Sequence, residues 1–363
     1  MKKFLFAFLA LLCVATCSIG LAACGDNPDS GNVEGNNTQQ SGNSGNNTDK
    51  KDEDTEQDDG ENENTFKATE GLVYRERSTY AEVSGVGTAT EAVIYIAEEY
   101  NGKPVTTIGE SAFADCDNLE SVEIPDSITN IENCAFKNCR SLKSIVLPDK
   151  LTSIGESAFE NCSSLESVSI PDNLTSIGWY AFKNCSSLKY TEYDNALYLG
   201  NSDNSCVVLI KAKNCEITSC EINEKTKVIY EYAFRGCINL MSITIPDSVI
   251  FIDDMAFEYC SSLKSVSIGR GVTSICAYTF NECTALTSIT IPDSVTQIGQ
   301  CAFRKCSSLT NIVIPESVTS IGEYAFYGCS NLTIYCEAES QPDGWDSMWN
   351  SSHCTVIWGY KGK

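Results

Sequence analysis

The sequence predicts an α/β solenoid, a stack of short repeating units, because three features recur along the chain. A phenylalanine, preceded by alanine in all copies but one, recurs every 23 residues except for a single step of 52. A cysteine follows three positions after each phenylalanine, and a leucine three positions after that. A strict period of this length is typical of supersecondary units that bury their apolar faces against their neighbours. The phenylalanines are Phe113, Phe136, Phe159, Phe182, Phe234, Phe257, Phe280, Phe303 and Phe326.

Residues 1–23 are predicted to be a targeting segment rather than part of the fold. Lys2 and Lys3 provide the charged start, and an apolar run follows from Phe4 to Cys17. The ending Leu-Ala-Ala-Cys resembles a bacterial lipobox, which implies cleavage before Cys24 and attachment of lipid to its thiol. An ordinary secretory signal and an uncleaved anchor are the alternatives.

Residues 24–65 are predicted to be the lipid-anchored cysteine and a disordered linker. After Cys24 the segment is rich in Asn, Gly, Ser and acids, and Val33 is its only large apolar residue. Such a composition buries too little surface to order itself. A flexible coil of this length spans roughly 35 Å, enough to hold a folded domain away from a membrane.

The charge balance limits the classes of partner. The chain has 49 acidic and 25 basic residues, for a net charge of −24. A strongly acidic chain is not expected to bind nucleic acid or anionic lipid through basic patches. We therefore expect no nucleic-acid partner, and contact with the membrane through the lipid anchor only.

Both ends of the repeat array are predicted to carry caps, because a terminal repeat would otherwise expose its apolar face. In residues 66–104, alternating strand-like runs flank Ser84 and Gly85, which predicts an N-terminal β cap. Residues 333–363 form the predicted C-terminal cap. Its tryptophans, including Trp345 and Trp358, are expected to cover the last repeat, and an aromatic ligand cleft is the alternative.

The first part of each repeat has the spacing of a short helix. In the copy at residues 151–173, apolar residues stand at Ile154, Ala158, Phe159 and Cys162. Apolar residues three or four positions apart share one face of a helix. The sequence thus predicts a short helix around each phenylalanine.

The second part of each repeat has the alternation of a strand. Val168 and Ile170 are expected to point inward, while Ser167 and Ser169 point outward. Pro171 then removes a backbone donor and turns the chain. Stacked copies give a parallel β ladder, and because helices are wider than strands, the ladder is expected on the concave side and the helices on the convex side.

The motifs L-x-x-V/I-x-I and IPDSVTxIGxxAF closely resemble those of the BspA-type leucine-rich-repeat surface proteins of bacteria. The resemblance covers about residues 66–363, with the repeats at 105–332. It implies a leucine-rich-repeat horseshoe on a cell-surface lipoprotein. It also implies binding to host matrix proteins or to neighbouring bacteria.

The recurring cysteines are expected to stack as buried free thiols, because each takes the same inward position in successive repeats. Disulfides between neighbours are the alternative. No metal site is predicted, since the sequence has no C-x-x-C pair. The sequence leaves open whether Cys336 and Cys354 form a disulfide. The column consists of Cys116, Cys139, Cys162, Cys185, Cys237, Cys260, Cys283, Cys306 and Cys329.

The step of 52 residues contains an irregular unit, placed at residues 190–222. It lacks Ala-Phe, and two apolar runs flank Gly-Asn-Ser-Asp-Asn-Ser, which predicts a hairpin. Insertions in repeat proteins lie on a surface and can carry function. The hairpin either has such a role or only replaces one helix.

No catalytic residue or cofactor is predicted. The single histidine, His353, lies beside Cys354 in the terminal cap, and a nucleophile pair would need a pocket and an orienting third group. The sequence contains no phosphate loop, dinucleotide fingerprint or zinc-protease motif.

The outward strand positions form the predicted binding face. Small hydroxyl side chains dominate it, which favours a broad, weak or multivalent contact over a tight pocket. Tyr190 and Glu192, next to the hairpin, are its least repetitive members. The other candidates are Ser121, Glu123, Ser144, Ser167, Ser242, Thr244, Ser265, Ser288, Thr290 and Asn311.

Together these features predict a monomeric, lipid-anchored lipoprotein on the extracellular face of the bacterial cytoplasmic membrane or in the cell envelope. Its repeat domain is expected to bind an extracellular protein or glycan and to act in adhesion, without enzymatic activity. A carbohydrate-binding lipoprotein, which should expose aromatic platforms, and a purely structural coat protein are the alternatives.

Overall fold

A computed structural model describes residues 67–362. The predicted signal peptide, Cys24 and the linker lie outside the described residues. In chain order the strands are β1 (Val73–Glu76), β2 (Ala81–Gly85), β3 (Val93–Tyr95), β4 (Glu99–Tyr100), β5 (Lys103–Ile108), β6 (Ser121–Glu123), β7 (Asn130–Ile131), β8 (Ser144–Val146), β9 (Ser153–Ile154), β10 (Ser167–Ser169), β11 (Ser176–Ile177), β12 (Thr191–Tyr193), β13 (Ala196–Leu199), β14 (Val208–Ala212), β15 (Val228–Ile229), β16 (Ser242–Thr244), β17 (Phe251–Ile252), β18 (Ser265–Ser267), β19 (Ser274–Ile275), β20 (Ser288–Thr290), β21 (Gln297–Ile298), β22 (Asn311–Ile314), β23 (Ser320–Ile321), β24 (Thr333–Cys336), β25 (Gly344–Trp345) and β26 (Thr355–Ile357).

Each 23-residue repeat forms one coil of a parallel solenoid with two strand ladders. The first ladder contains the three-residue strands, such as β8 and β10, in which Val168 pairs with Ile145. The second ladder contains two-residue strands, such as β9 and β11, in which Ile177 pairs with Ile154. Between regular repeats the partners in both ladders are 23 residues apart, so the sequence period sets the register. The predicted parallel solenoid is confirmed, with a second ladder in addition.

The predicted short helices are wrong: between residues 67 and 362 the chain contains no helix. The segment around each phenylalanine is a tight turn, which runs from two residues before the phenylalanine to three residues after it. The stack of these turns is called the turn column. In one turn Ser157 has φ 55° and Asn161 has φ 63°, which places both in the left-handed region. A left-handed residue interrupts a right-handed helix.

The hydrogen bonds of the turn column also exclude a helix. Ser157 N donates to Trp179 O at 2.7 Å, and Phe159 N donates to Ala181 O at 2.8 Å. These alternate amides bond to the next coil instead of to a carbonyl four residues earlier, as a helix requires. The turns therefore hold neighbouring coils together much as strands do. In the described part of the chain, no helix is long and apolar enough to cross a membrane.

The core is a column of stacked phenylalanine rings between the ladders and the turns. Successive rings from Phe113 to Phe182 and from Phe234 to Phe326 lie 5.1–5.6 Å apart between centroids. Neighbouring strands are about 4.8 Å apart. The spacing of the rings is therefore close to, and slightly larger than, the spacing of strands in a sheet.

The irregular unit interrupts the turn column. Strands β13 and β14 pair antiparallel, and β14 then joins β15 in the second ladder. Where the other coils turn at an Ala-Phe pair, β14 continues straight to Ala212, whose amide donates to Ala233 O at 2.7 Å. The turn at residues 178–181 therefore lies next to a coil that has no Ala-Phe turn.

Two side chains bridge this interruption. Glu231 accepts a hydrogen bond from Tyr180 N at 2.6 Å. The Tyr230 hydroxyl accepts one from Ala181 N at 2.8 Å and donates to Gly178 O at 3.2 Å. Both residues are buried. Glu231 takes the place of the backbone acceptor that a regular turn would offer to Tyr180 N. The Tyr230 hydroxyl adds a second acceptor for Ala181 N, which also donates to Gly178 O within its own turn at 3.3 Å.

The ends differ from the coils between them. At the N-terminal end, β1 and β2 are antiparallel, and β2 joins β5 of the second ladder. At the C-terminal end, Trp345 and Trp349 are buried, and the Trp349 ring packs edge-on against Phe326 with centroids 5.9 Å apart. The Trp345 indole N–H donates to Val318 O at 3.1 Å. These tryptophans cover the last phenylalanine of the column.

Candidate binding surfaces

The outward positions of the first ladder form a surface, called the hydroxyl face, on both sides of the irregular unit. The central residue of each strand is buried, while the residues on both sides point outward. Parallel pairing aligns Ser242, Ser265 and Ser288 in one row and Thr244, Ser267 and Thr290 in another. Ser121 is half-buried, and the remaining predicted residues of these regular strands are exposed: Glu123, Ser144, Ser167, Ser242, Thr244, Ser265, Ser288, Thr290 and Asn311.

The structure places Tyr190 and Glu192 away from these rows. Tyr190 is half-buried against the core, and the Lys211 ammonium lies 5.2 Å from its ring centroid. Burial raises the pKa of the Tyr190 hydroxyl. Glu192 lies in β12, which pairs antiparallel with β13, and it is exposed in an ion pair with Lys213. Neither residue continues the hydroxyl rows, because the chain leaves the first ladder after Tyr190.

A glycine takes over the next position of the first ladder. Ser169 forms a parallel bridge with Gly200, and Ile170 N donates to Gly200 O at 2.9 Å. A shallow depression of about 150 Å³ lies at this junction, lined among others by Tyr198 and Asn201. This volume accommodates one small side chain or a few waters rather than a buried ligand.

The predicted cysteine column is present as free thiols within the described residues. Cys139, Cys162 and Cys283 each donate to the carbonyl of the phenylalanine 26 residues earlier, at 3.0–3.2 Å. Burial raises the pKa of Cys185 and of Cys329 to about 12. A buried, protonated thiol is neither a nucleophile nor a metal ligand. From residue 67 to 362 no group of His, Cys, Asp and Glu has the arrangement of a metal site.

Cys336 and Cys354 are not joined. Cys354 instead extends the thiol column, since its Sγ donates to Cys329 O at 3.3 Å, and burial raises its pKa. His353 is exposed and has φ 54°, so it belongs to a turn of the terminal unit. Because the Cys354 thiol donates its proton to Cys329 O, it is not available as the nucleophile of a Cys-His pair.

A second surface, which the sequence reasoning missed, lies on the turn column after the irregular unit. A depression of about 340 Å³ is lined by Tyr232, Arg235 and Met255. The Arg235 guanidinium carbon lies 5.5 Å from the Tyr232 ring centroid and 5.3 Å from that of Tyr259. The sequence signal at this position is weak, because other coils also carry a tyrosine two positions before the phenylalanine, as at Tyr180 and Tyr278.

Buried acids accompany this part of the turn column. Burial raises the pKa of Asp253 to about 8 and that of Asp254 to about 6. One oxygen of Asp253, Oδ2, is buried without a hydrogen-bond partner. Asp254 accepts a hydrogen bond from Ala277 N at 2.6 Å. Burial also raises the pKa of Glu231.

Comparison with known proteins identifies the family. The model of the BspA-type leucine-rich repeat region matches residues 101–202 and 212–333, in six copies. Because these matches cover more than half of the chain, the chain belongs to the BspA-type leucine-rich-repeat family. No curated protein matches the chain.

Solved structures of bacterial leucine-rich-repeat proteins are similar to this chain. A leucine rich cell surface protein from Faecalibacterium prausnitzii A2-165 is 27% identical, with 81% of this chain and 97% of that chain covered and a TM-score of 0.39. A leucine-rich repeat protein from Bacteroides ovatus ATCC 8483 is 29% identical, covering 80% and 70%, with a TM-score of 0.35. The leucine-rich repeat protein of T. pallidum is 22% identical, covering 66% and 88%, with a TM-score of 0.33.

Proposed function

We propose that the protein is a lipid-anchored cell-surface protein whose hydroxyl face binds extracellular macromolecules and so mediates adhesion. The observation that carries this proposal is the alignment of exposed hydroxyls in register across successive coils. Each hydroxyl can both donate and accept a hydrogen bond. A repeated row therefore suits a partner that also repeats, where many weak contacts act together.

The family supports the surface location. The similar F. prausnitzii protein is a leucine rich cell surface protein. The segment ending at Cys24 supplies a lipobox-like sequence for anchoring, and the acidic linker supplies the distance from the membrane. No enzymatic role is proposed, because the thiols of the core are buried and used as donors.

Screening the full chain displayed on a bacterial surface tests the adhesion. The displayed protein is incubated with matrix proteins, mucins, a glycan array and whole bacteria. We expect saturable binding to at least one protein or bacterial target. A lack of saturable binding to any of them contradicts the adhesive function. Saturable binding to glycans alone supports the carbohydrate-binding alternative.

A pair of arginine substitutions locates the binding. Ser265 lies in the middle of its row, between Ser242 and Ser288, so Ser265→Arg is expected to reduce binding at least ten-fold. Thr273 is exposed in the same coil but outside the hydroxyl face, which makes Thr273→Arg the matched control. Equal binding of the two variants assigns the contact to another surface.

The anchor has its own test. Cells expressing the chain are labelled with radioactive palmitate, and the protein is recovered from the membrane fraction. We expect label in the wild-type protein and none in Cys24→Ser, because the thiol is the attachment point. Equal labelling of both proteins contradicts the lipid anchor without affecting the adhesion proposal.

A further inference from the structure

Arg235 is held in place by three neighbours on the turn column. Its Nε donates to Glu258 at 2.7 Å, and the Glu258 side chain is only 7% exposed. The rings of Tyr232 and Tyr259 flank the guanidinium at 5.5 and 5.3 Å. A side chain fixed in this way loses little conformational entropy when a partner binds.

The outer part of Arg235 remains open. Its side chain is 49% exposed, and a guanidinium has five N–H donors, of which Glu258 takes the one on Nε. Within residues 67–362 the four donors on the terminal nitrogens have no hydrogen-bond partner. Two parallel N–H groups match the two oxygens of a carboxylate.

Exposed apolar side chains lie on the same coil. Ile238 is 54% exposed and Met241 is 49% exposed. In the aligned positions of other coils stand serines, such as Ser163 and Ser261, and lysines, such as Lys189 and Lys264. The repeat therefore does not require apolar residues here, and this coil alone departs from the pattern in both positions.

We propose that Tyr232, Arg235, Ile238, Met241 and Met255 form a second docking surface, for a polypeptide segment that places a carboxylate on Arg235 and a large apolar side chain in the adjoining depression. The depression of about 340 Å³ has room for one such side chain. Tyrosine, arginine and methionine are enriched at protein interfaces, where a few such residues contribute most of the binding energy.

A polypeptide fits this surface better than a glycan does. Sugars stack on open aromatic faces, whereas the guanidinium of Arg235 covers the rings of Tyr232 and Tyr259. The exposed aliphatic side chains also suit a partner that buries apolar surface. Tyr232, Arg235 and Met255 lie in the turn column, so this part of the surface does not depend on adhesion through the hydroxyl face. Met241 directly precedes Ser242 of that face.

Peptide selection on the full chain tests the proposal. A phage-displayed library of random twelve-residue peptides is selected on the wild-type protein, and the enriched peptides are measured by fluorescence polarisation. We expect the enriched peptides to share an acidic residue near Phe, Trp or Leu. The variant Ile238→Ser/Met241→Lys, which uses residues that other coils carry, is expected to bind them at least ten-fold more weakly while keeping its fold.

Arginine variants provide the matched comparison. Arg235→Gln is expected to lose at least ten-fold in peptide affinity. Arg304→Gln is the control, because Arg304 also lies over a tyrosine, at 5.7 Å from the Tyr327 ring centroid, but does not line the depression. Unchanged affinity in Arg304→Gln then confirms that the position, not the loss of a charge, is responsible.

Two results would overturn the proposal. One is enrichment of no peptide that distinguishes the wild-type protein from Ile238→Ser/Met241→Lys. The other is binding on an array of acidic glycans that Arg235→Gln abolishes and Ile238→Ser/Met241→Lys leaves unchanged, which would assign the arginine to a glycan. Both results are independent of Ser265→Arg, so they leave the hydroxyl face untouched.

Discussion

The regular coils and the interruption after Phe182 reach the same stacked architecture by different means. In the regular coils the backbone amides of each turn donate to the carbonyls of the next turn, as Ser157 does to Trp179. At the interruption the carboxylate of Glu231 accepts from Tyr180 N instead, and the Tyr230 hydroxyl bonds to Ala181 N and Gly178 O. A regular coil therefore depends on the repeat itself, whereas the interruption depends on two particular residues.

The largest effect is expected from breaking the phenylalanine column. Phe257 is fully buried and stacks on Phe234 and Phe280, while Phe182 stacks only on Phe159 and is 6% exposed. Phe257→Ala should lower the free energy of unfolding by about 4 kcal/mol, and Phe182→Ala by about 3 kcal/mol. Urea denaturation measures both values. A larger loss in Phe182→Ala contradicts the description of the column as ending at the interruption.

The next largest effect on the free energy of unfolding is expected from removing the Tyr230 hydroxyl at the interruption. Tyr230→Phe removes the hydroxyl that bonds to Ala181 N and Gly178 O and leaves these two groups with only their own hydrogen bond of 3.3 Å, at a cost of about 2 kcal/mol. Tyr198→Phe is the control, because the Tyr198 hydroxyl accepts only one long bond, from Asn223 N at 3.4 Å. We expect less than about 1 kcal/mol for this variant. Similar losses from the two variants contradict a bridging role.

The buried acid beyond the interruption should make stability depend on pH. The folded protein raises the pKa of Asp253 from 3.8 to about 8, so the folded state binds the proton more tightly than the unfolded state. This group therefore lowers the free energy of unfolding as the pH rises from about 4 to about 8. Asp253→Asn is expected to stabilise the protein at pH 8 by on the order of 2 kcal/mol, and much less at pH 4.5.

Chemical denaturation at the two pH values measures this difference. Asp293→Asn is the control, because Asp293 is an exposed residue in a regular coil. We expect no gain from it at either pH. If Asp253→Asn changes stability equally at pH 4.5 and 8, the carboxyl of Asp253 is not protonated in the folded state as described.

The smallest effects are expected from exposed ion pairs, in both regions alike. Lys189 pairs with Glu166 at 2.6 Å in the regular part, and Lys213 pairs with Glu192 in the irregular unit. Lys189→Ala and Lys213→Ala should each change the free energy of unfolding by less than about 0.5 kcal/mol, because water and salt screen exposed charges. A larger loss from Lys213→Ala than from Lys189→Ala would show that the irregular unit also relies on its surface charges.

Much of the core could be predicted from the sequence, because a strict period places identical residues in the same environment. The positions of Phe159, Cys162 and Val168 in the core follow from that period, and so does the parallel register of the strands. The prediction of a short helix around each phenylalanine was wrong, because apolar residues three or four positions apart also fit a series of tight turns. Asn138, Asn161 and Gly236 recur two positions after the phenylalanine, and such residues tolerate the left-handed conformation.

The candidate surfaces were less predictable. The hydroxyl rows follow from the alternation of the strands, whereas Tyr190 and Glu192 follow the hairpin out of the first ladder. The Arg235 surface depends on contacts between coils, since Arg235 bonds to Glu258 in the next repeat. Its only sequence signal is the replacement of Ser and Lys by Ile238 and Met241 in one copy.

Amide hydrogen exchange compares the two ways of joining coils most directly. In the wild-type protein we expect the amides of Tyr180 and Ala181 to be protected, as are those of Ser157 and Phe159. In Glu231→Ala the amide of Tyr180 should exchange at least ten-fold faster, because Glu231 is its acceptor, while Ser157 and Phe159 keep their protection. Unchanged protection of Tyr180 in this variant would contradict the claim that side chains bridge the interruption.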